Sequence, residues 1–222
     1  MKPILFNTDM VRGILEDRKT VMRRVVKQQH LRVLDSPYHQ QHPETPDKVL
    51  LERLCMPPYR LGDALYVREA WRIWRAHRYD ADAHIEFKAG GEGVVLRFPN
   101  GCTDSANRDD YDRFIHKWGV RENKWHPSIH MPREAARVFL RVTDVRVERL
   151  QDIKCSGVVL EGVLTPPEKM FSREESLARM KKAWNSTIKK ADYALYGWEA
   201  NPWVFVIEFE RISKEEAMVN ED

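Results

Sequence analysis

The 222 residues carry 42% hydrophobic and 32% charged side chains and a formal net charge of +3, the balance of a globular protein long enough to bury a core. The apolar runs are far shorter than the roughly 20 residues of a membrane helix, and MKPILFNTDM lacks the hydrophobic region and cleavage site of a secretory signal. Cys55, Cys102 and Cys155 are odd in number and scattered without a CxxC pair, so neither a disulfide framework nor a zinc knuckle is expected, and a reducing cytoplasm is.

PILF opens a short strand, after which Asn7 or Thr8 caps a helix whose Met10, Val11, Ile14 and Leu15 recur at helical spacing. That helix is predicted to end near Asp17 or Arg18. Lys19 and Thr20 then occupy a helix-to-strand turn, and VMRRVV forms the next strand, with Arg23 and Arg24 on opposite faces. Between Arg12 and Arg32 seven basic residues (Arg12, Arg18, Lys19, Arg23, Arg24, Lys27, Arg32) oppose only Glu16 and Asp17, while the last fifteen residues hold six acids and two bases. Such a basic run suits three roles: a solvated helix end, a phosphate clamp, or the setting of a reactive lysine.

Residues 35–58, with Pro37, Pro43, Pro46, Pro57 and Pro58, read as an irregular excursion. Gly62-Asp63 makes a turn, and Ala64 to Glu69 a strand with Leu65 and Val67 on one side and Tyr66 and Arg68 on the other. Further on, a strand pair over 85–87 and 94–98 is joined by AGGEG and followed by an aspartate-rich polar stretch at 103–112. Met131-Pro132 closes a loop, 133–136 form a turn of helix, and 138–147 alternate as a strand with a bulge or bend at Thr143-Asp144. A short helix ends at Gly162, TPPEK is a linker, Ser172 and Glu175 form a capping box for a longer helix, and NPWVFVIEFERI closes the chain's strands. The runs at 138–147 and 203–210 are expected to be neighbours in one curved sheet of an α+β fold, because each needs a partner over its apolar face.

In this order DRKTVMRR, LGDALYVRE, the long strand leading to LQDI and LEGV, and NPWVFVIEFE resemble the ASCH family, PUA-like β-barrels associated with RNA or modified-nucleoside chemistry. The longer phage and prophage members are the nearest in pattern, sharing PSIHMPREAARVFLRVTDVRVERLQDI and WEANPWVFVIEFER; the resemblance spans roughly residues 1–34, 59–80 and 124–212. It implies one domain over 1–212, a curved β-barrel decorated by short helices with long loop insertions near 35–58 and 81–123, followed by an acidic tail at 213–222. The family signature, a Gly-x-Lys-Thr turn leading to an arginine, reads here Asp17-Arg18-Lys19-Thr20 with Arg24 downstream; Asp can replace the glycine in a left-handed or turn position. In bacterial relatives that hydrolyse the N4-acyl group of acetylated cytidine, the implied catalytic set is this lysine, a threonine three positions on and a distant glutamate. Lys19 and Glu161 match the first and last; the threonine position falls on Met22, which has no proton to give, and Thr20 is close enough to substitute.

A lysine serves as nucleophile or base only when its charged form is disfavoured, which the expected company of Arg18, Arg23 and Arg24 promotes and which Glu161 completes as a proton relay. Alternatively Lys19 pairs with a phosphate, or with Glu161 as structure. Arg24 can fork onto a phosphate. Glu69 either lines the same cleft or makes a cross-strand ion pair with an arginine. Of the aromatic residues Tyr66, Trp71, Trp74, Trp125 and Trp198, Trp71 and Trp125 are the first candidates for stacking on a base. Ser128 and His130 either hydrogen-bond a ligand at the rim or brace their loop; Pro127 keeps His126 and His130 off one helix face, so no metal site is expected, and no cofactor is implied. The partner expected is RNA or a modified nucleoside or nucleotide. Three function classes follow: a hydrolase of an amide or phosphodiester linkage centred on Lys19 and Glu161, a non-catalytic binding module, and a phage assembly or host-interaction factor reusing the fold.

Overall fold

The computed structural model describes residues 1–98, 105–119, 124–163 and 172–219. In chain order the first elements are β1 (Lys2–Leu5), α1 (Thr8–Leu15), β2 (Val21–Val25), α2 (Gln28–Leu31), α3 (Pro37–Gln41), α4 (Asp47–Leu54), β3 (Ala64–Arg68), β4 (Trp71–His77) and β5 (Asp82–Phe87). They continue with β6 (Val94–Arg97), α5 (Ser105–Trp118), β7 (Phe139–Arg149), α6 (Cys155–Leu160), α7 (Arg173–Thr187), α8 (Tyr193–Tyr196), β8 (Trp203–Ile212) and α9 (Lys214–Met218). Five strands are hydrogen-bonded in the order β1-β3-β7-β8-β2 and three in the order β4-β5-β6. The fold is therefore α+β with two sheets, and the expected adjacency of the 138–147 and 203–210 runs holds. Among the described residues the five-strand ladder begins at β1 and ends at β2 without closing into a barrel.

The chain divides into two compact units. The first comprises Met1–Arg12, Ala64–Leu140 and Arg211–Asp222. In it β1 runs parallel to β3, with Lys2 opposite Leu65 and Leu5 opposite Arg68. The β4-β5-β6 meander is antiparallel, and β5 turns Ala83, Ile85 and Phe87 inward while Asp82, His84 and Glu86 stay half-buried. Trp71, Ile73, Ile85, Met131 and Phe139 centre this core, joined by Phe114, Ile115 and Trp118 of α5 and by Ala217 of α9. The aspartate-rich stretch is thus largely helix from Ser105 onward, its apolar residues Tyr111, Phe114, Ile115 and Trp118 falling at helical spacing. Strand β4, a helix at α5 and a buried residue beyond 212 all depart from the sequence expectations.

The second unit comprises Gly13–Asp63 and Arg141–Glu210. Strand β2 pairs antiparallel with β8, Val21 opposite Glu208 and Val25 opposite Val204. Val21, Leu150, Ile153, Val158, Met180, Trp184, Trp198, Val204 and Val206 form its core. Helix α7 begins with the expected capping box, Ser172 accepting from the Glu175 amide and Glu175 from the Ser172 amide. The 35–58 stretch is mostly helical rather than irregular, because two of its prolines, Pro37 and Pro46, stand at helix starts instead of breaking helices. Ser36 caps α3 with Pro37 in its first turn, and Pro46 is the N-cap of α4. Strand β7 continues as strand through Thr143-Asp144. The TPPEK linker lies outside the described residues. No described helix is long and apolar enough to cross a membrane.

Candidate functional site

Helix α1, capped by the Asn7 side chain, ends in a tight reversal in which the amides of Arg18 and Lys19 both donate to the Gly13 carbonyl. Asp17 makes the reversal at φ 53, the left-handed conformation that its place in the Gly-x-Lys-Thr pattern anticipates. The chain then runs alongside the end of α6. The Thr20 amide donates to Leu160 O at 2.9 Å, Lys19 and Glu161 form an antiparallel bridge, and Thr20 O accepts from the Phe209 amide. Gly162, at φ +70, lies so close that a Cβ there would stand 2.9 Å from Lys19 Cβ, so glycine is required twice over.

Lys19 is 2% exposed and its ammonium is enclosed. Nζ donates to Val21 O at 2.7 Å, to Glu161 O at 3.0 Å and to Glu161 Oε2 at 2.7 Å, one acceptor for each of its three hydrogens. The other carboxylate oxygen, Glu161 Oε1, accepts from Arg23 Nη1 at 2.9 Å. Arg23 Nη2 lies 3.7 Å from Glu148 Oε2, and Glu148 Oε1 accepts from Arg146 Nε at 2.7 Å. Arg146 also binds Asp144 and Glu208. Lys19, Arg23 and Arg146 are thereby interleaved with Glu161, Glu148, Asp144 and Glu208, three cations among four carboxylates.

This corrects the expected basic cleft. The structure brings Lys19, Glu161 and Arg23 together, but their charges neutralise one another below the surface. Arg24, on the opposite face of β2, is exposed, whereas Arg18 turns to Glu16 and donates to Gly162 O at 3.1 Å. Met22 is buried with Ile207 as its strand partner, which makes it a core residue rather than a reacting group. Sequence reasoning missed Glu148, Arg146 and Glu208, although the alternation of Asp144, Arg146 and Glu148 against Val145 and Val147 already put them on one face of β7.

The remaining candidates belong to the first unit. Glu69 is 1% exposed and bound bidentately by Arg137, at 2.9 and 3.0 Å, the ion-pair alternative. Burial pushes its carboxyl up from the ordinary range, against the pull of the Arg137 hydrogen bonds. Trp71 is not a stacking platform: its ring is fully buried against Phe114, Trp118 and His126. Trp125 is half-buried with the Arg72 guanidinium 4.6 Å from its ring centre. Ser128 and His130 lie in one short 3-10 turn, where His130 is exposed and its ring stands 5.7 Å from that of Trp118. His126 contacts Trp118 O through Nε2 at 2.9 Å.

Comparison of the chain with protein-family models, curated protein sequences and solved structures gives no match in any of the three.

Proposed function

We propose that the chain is an ASCH-type, PUA-like module of the cytoplasm that binds RNA or a modified nucleoside or nucleotide without turning it over. The observation that carries this reading is the closed hydrogen bonding of Lys19. An ammonium with three acceptors has no lone pair to attack with, and the buried network acts as a brace between the start of β2 and the end of α6. The contact between Lys19 and Glu161, the two residues the ASCH resemblance pairs, supports the family assignment. Phosphate contact then falls to the exposed cations from Arg24 to Arg32, a stretch holding Arg24, Lys27 and Arg32 and no acid.

One distance favours a second reading. Lys19 Nζ and Glu161 Oε2, 2.7 Å apart, are within reach of direct proton transfer, as a hydrolase using Lys19 would need. A panel of short RNAs and of acylated and otherwise modified nucleosides, scored separately for binding and for product, distinguishes the two. The binding module gives affinity that falls with salt, a shallower salt slope for Arg24→Ala and Lys27→Ala, and no product. Product that disappears in Lys19→Ala establishes the hydrolase, and absence of binding across the panel removes both.

A further inference from the structure

The hairpin of β4 and β5 sets three metal-ligating side chains on one face. His77 and Asp82 are opposite each other in the antiparallel register, and His84, two residues beyond Asp82, shares its side of the strand. His77 Nδ1 stands 3.0 Å from Asp82 Oδ1, and His84 Nε2 stands 3.4 Å from the same oxygen. One donor atom from each residue lies within 4.8 Å of the other two. The His84 nitrogen is closed off from solvent and, despite its nearness to Asp82, is aligned for no hydrogen bond among the described residues.

We propose that His77, Asp82 and His84 form a binding site for a divalent transition-metal ion of the zinc class. Two imidazoles and one carboxylate are a donor set that zinc accepts, and ligands at bonds of about 2.0–2.2 Å in a tetrahedral shell sit about 3.3 Å apart, close to the two distances from Asp82 Oδ1 to the imidazoles, while the two imidazole donors lie within 4.8 Å of each other. In the absence of metal Asp82 bonds one imidazole and leaves the other nitrogen unsatisfied; an ion between them satisfies all three groups. The side chains are 31%, 15% and 24% exposed, so the group lies at the surface of the hairpin although the His84 nitrogen itself is covered. Trp74 packs edge-on against His84 at 5.6 Å and restrains that ring. Arg75 and Arg97, exposed at the register positions opposite His84 and Asp82, oppose a cation, so affinity is expected below that of a closed four-ligand site.

The test titrates the full chain, stripped with chelator, with Zn2+ alone by calorimetry. One saturable equivalent is expected, weakened about tenfold or more in His84→Ala and in Asp82→Asn. The control His39→Ala, whose ring pairs with Asp47 instead, is expected to bind as the wild type does. A footprint of the wild-type chain with diethyl pyrocarbonate, read by mass spectrometry with and without Zn2+, avoids any loss of fold in the variants: His77 and His84 become protected, His39 and His42 do not. Absence of saturable binding, unchanged affinity in folded His84→Ala, or protection of other histidines instead overturns the site.

Discussion

Removing one member of a buried ion pair strands the other, at a cost of about 3–5 kcal/mol where the pair is dry. Lys19→Met is such a change: it keeps the chain's volume, leaves Glu161 to Arg23 alone and empties two carbonyl contacts. We expect a loss of about 3 kcal/mol in urea unfolding, and much less than additive loss when Glu161→Gln is added, because the two residues act as one unit. A variant as stable as the wild type would mean that the network braces nothing. Glu69 offers a test of sign. Burial raises its folded carboxyl above the ordinary 4.5, so just above that value the native state holds more protons than the unfolded chain. Stability from this group is therefore complete below 4.5 and is lost as pH rises through the raised value. The unfolding free energy of wild type minus that of Glu69→Gln is expected to fall from about pH 4 upward and then level off; a rise would contradict the burial argument. The meeting of Lys19 and Glu161 was legible because the motif order supplied both residues. The neutralisation of Arg23 was not, since strand parity separates Arg23 from Arg24 without saying which one faces the carboxylates.

Helix α7 owes its start to a reciprocal pair of hydrogen bonds between Ser172 and Glu175. Ser172→Ala is expected to cost about 1 kcal/mol, seen as a lower unfolding midpoint and as faster amide exchange in the first turn of α7 alone. Exchange that accelerates evenly along the helix would locate the effect elsewhere. The box was readable in advance because it is a local, four-residue signal, and the alternating runs of β3 and β8 were readable for the same reason. Elements governed by competing signals were not. Asp109, Asp110 and Asp112 lower helix propensity and hide the apolar spacing of Tyr111, Phe114, Ile115 and Trp118 that α5 buries. In WRIWRAH the alternation is broken by a register shift between Ile73 and Arg75, so β4 was missed, and with it the hairpin register that gathers His77, Asp82 and His84.

Each compact unit is assembled from separated stretches of chain, three for the first and two for the second. Local patterns cannot announce this. The acidic charge of the last residues reads as a solvated end, yet Ser213 and Glu216 cap α9 there, and Ala217 is 0% exposed in the first core. A fragment of residues 64–140 keeps β3 to β6 and α5 but loses β1, the parallel partner of β3, all of β7 beyond Leu140, the strand on the other side of β3, and the methyl of Ala217. It therefore exposes a strand edge and an apolar seat that the native unit covers from both ends of the chain. Expressed alone, the fragment is expected to show no cooperative thermal transition and poor dispersion of its amide resonances, while the whole chain shows both. The capping change Ser213→Ala in the full chain is expected to reproduce part of the effect, lowering amide protection in α9 and around Ala217 while that of α7 stays unchanged. A fragment that melts cooperatively would mean that the termini are accessory to the first core and that the contacts of β1 and Ala217 contribute little.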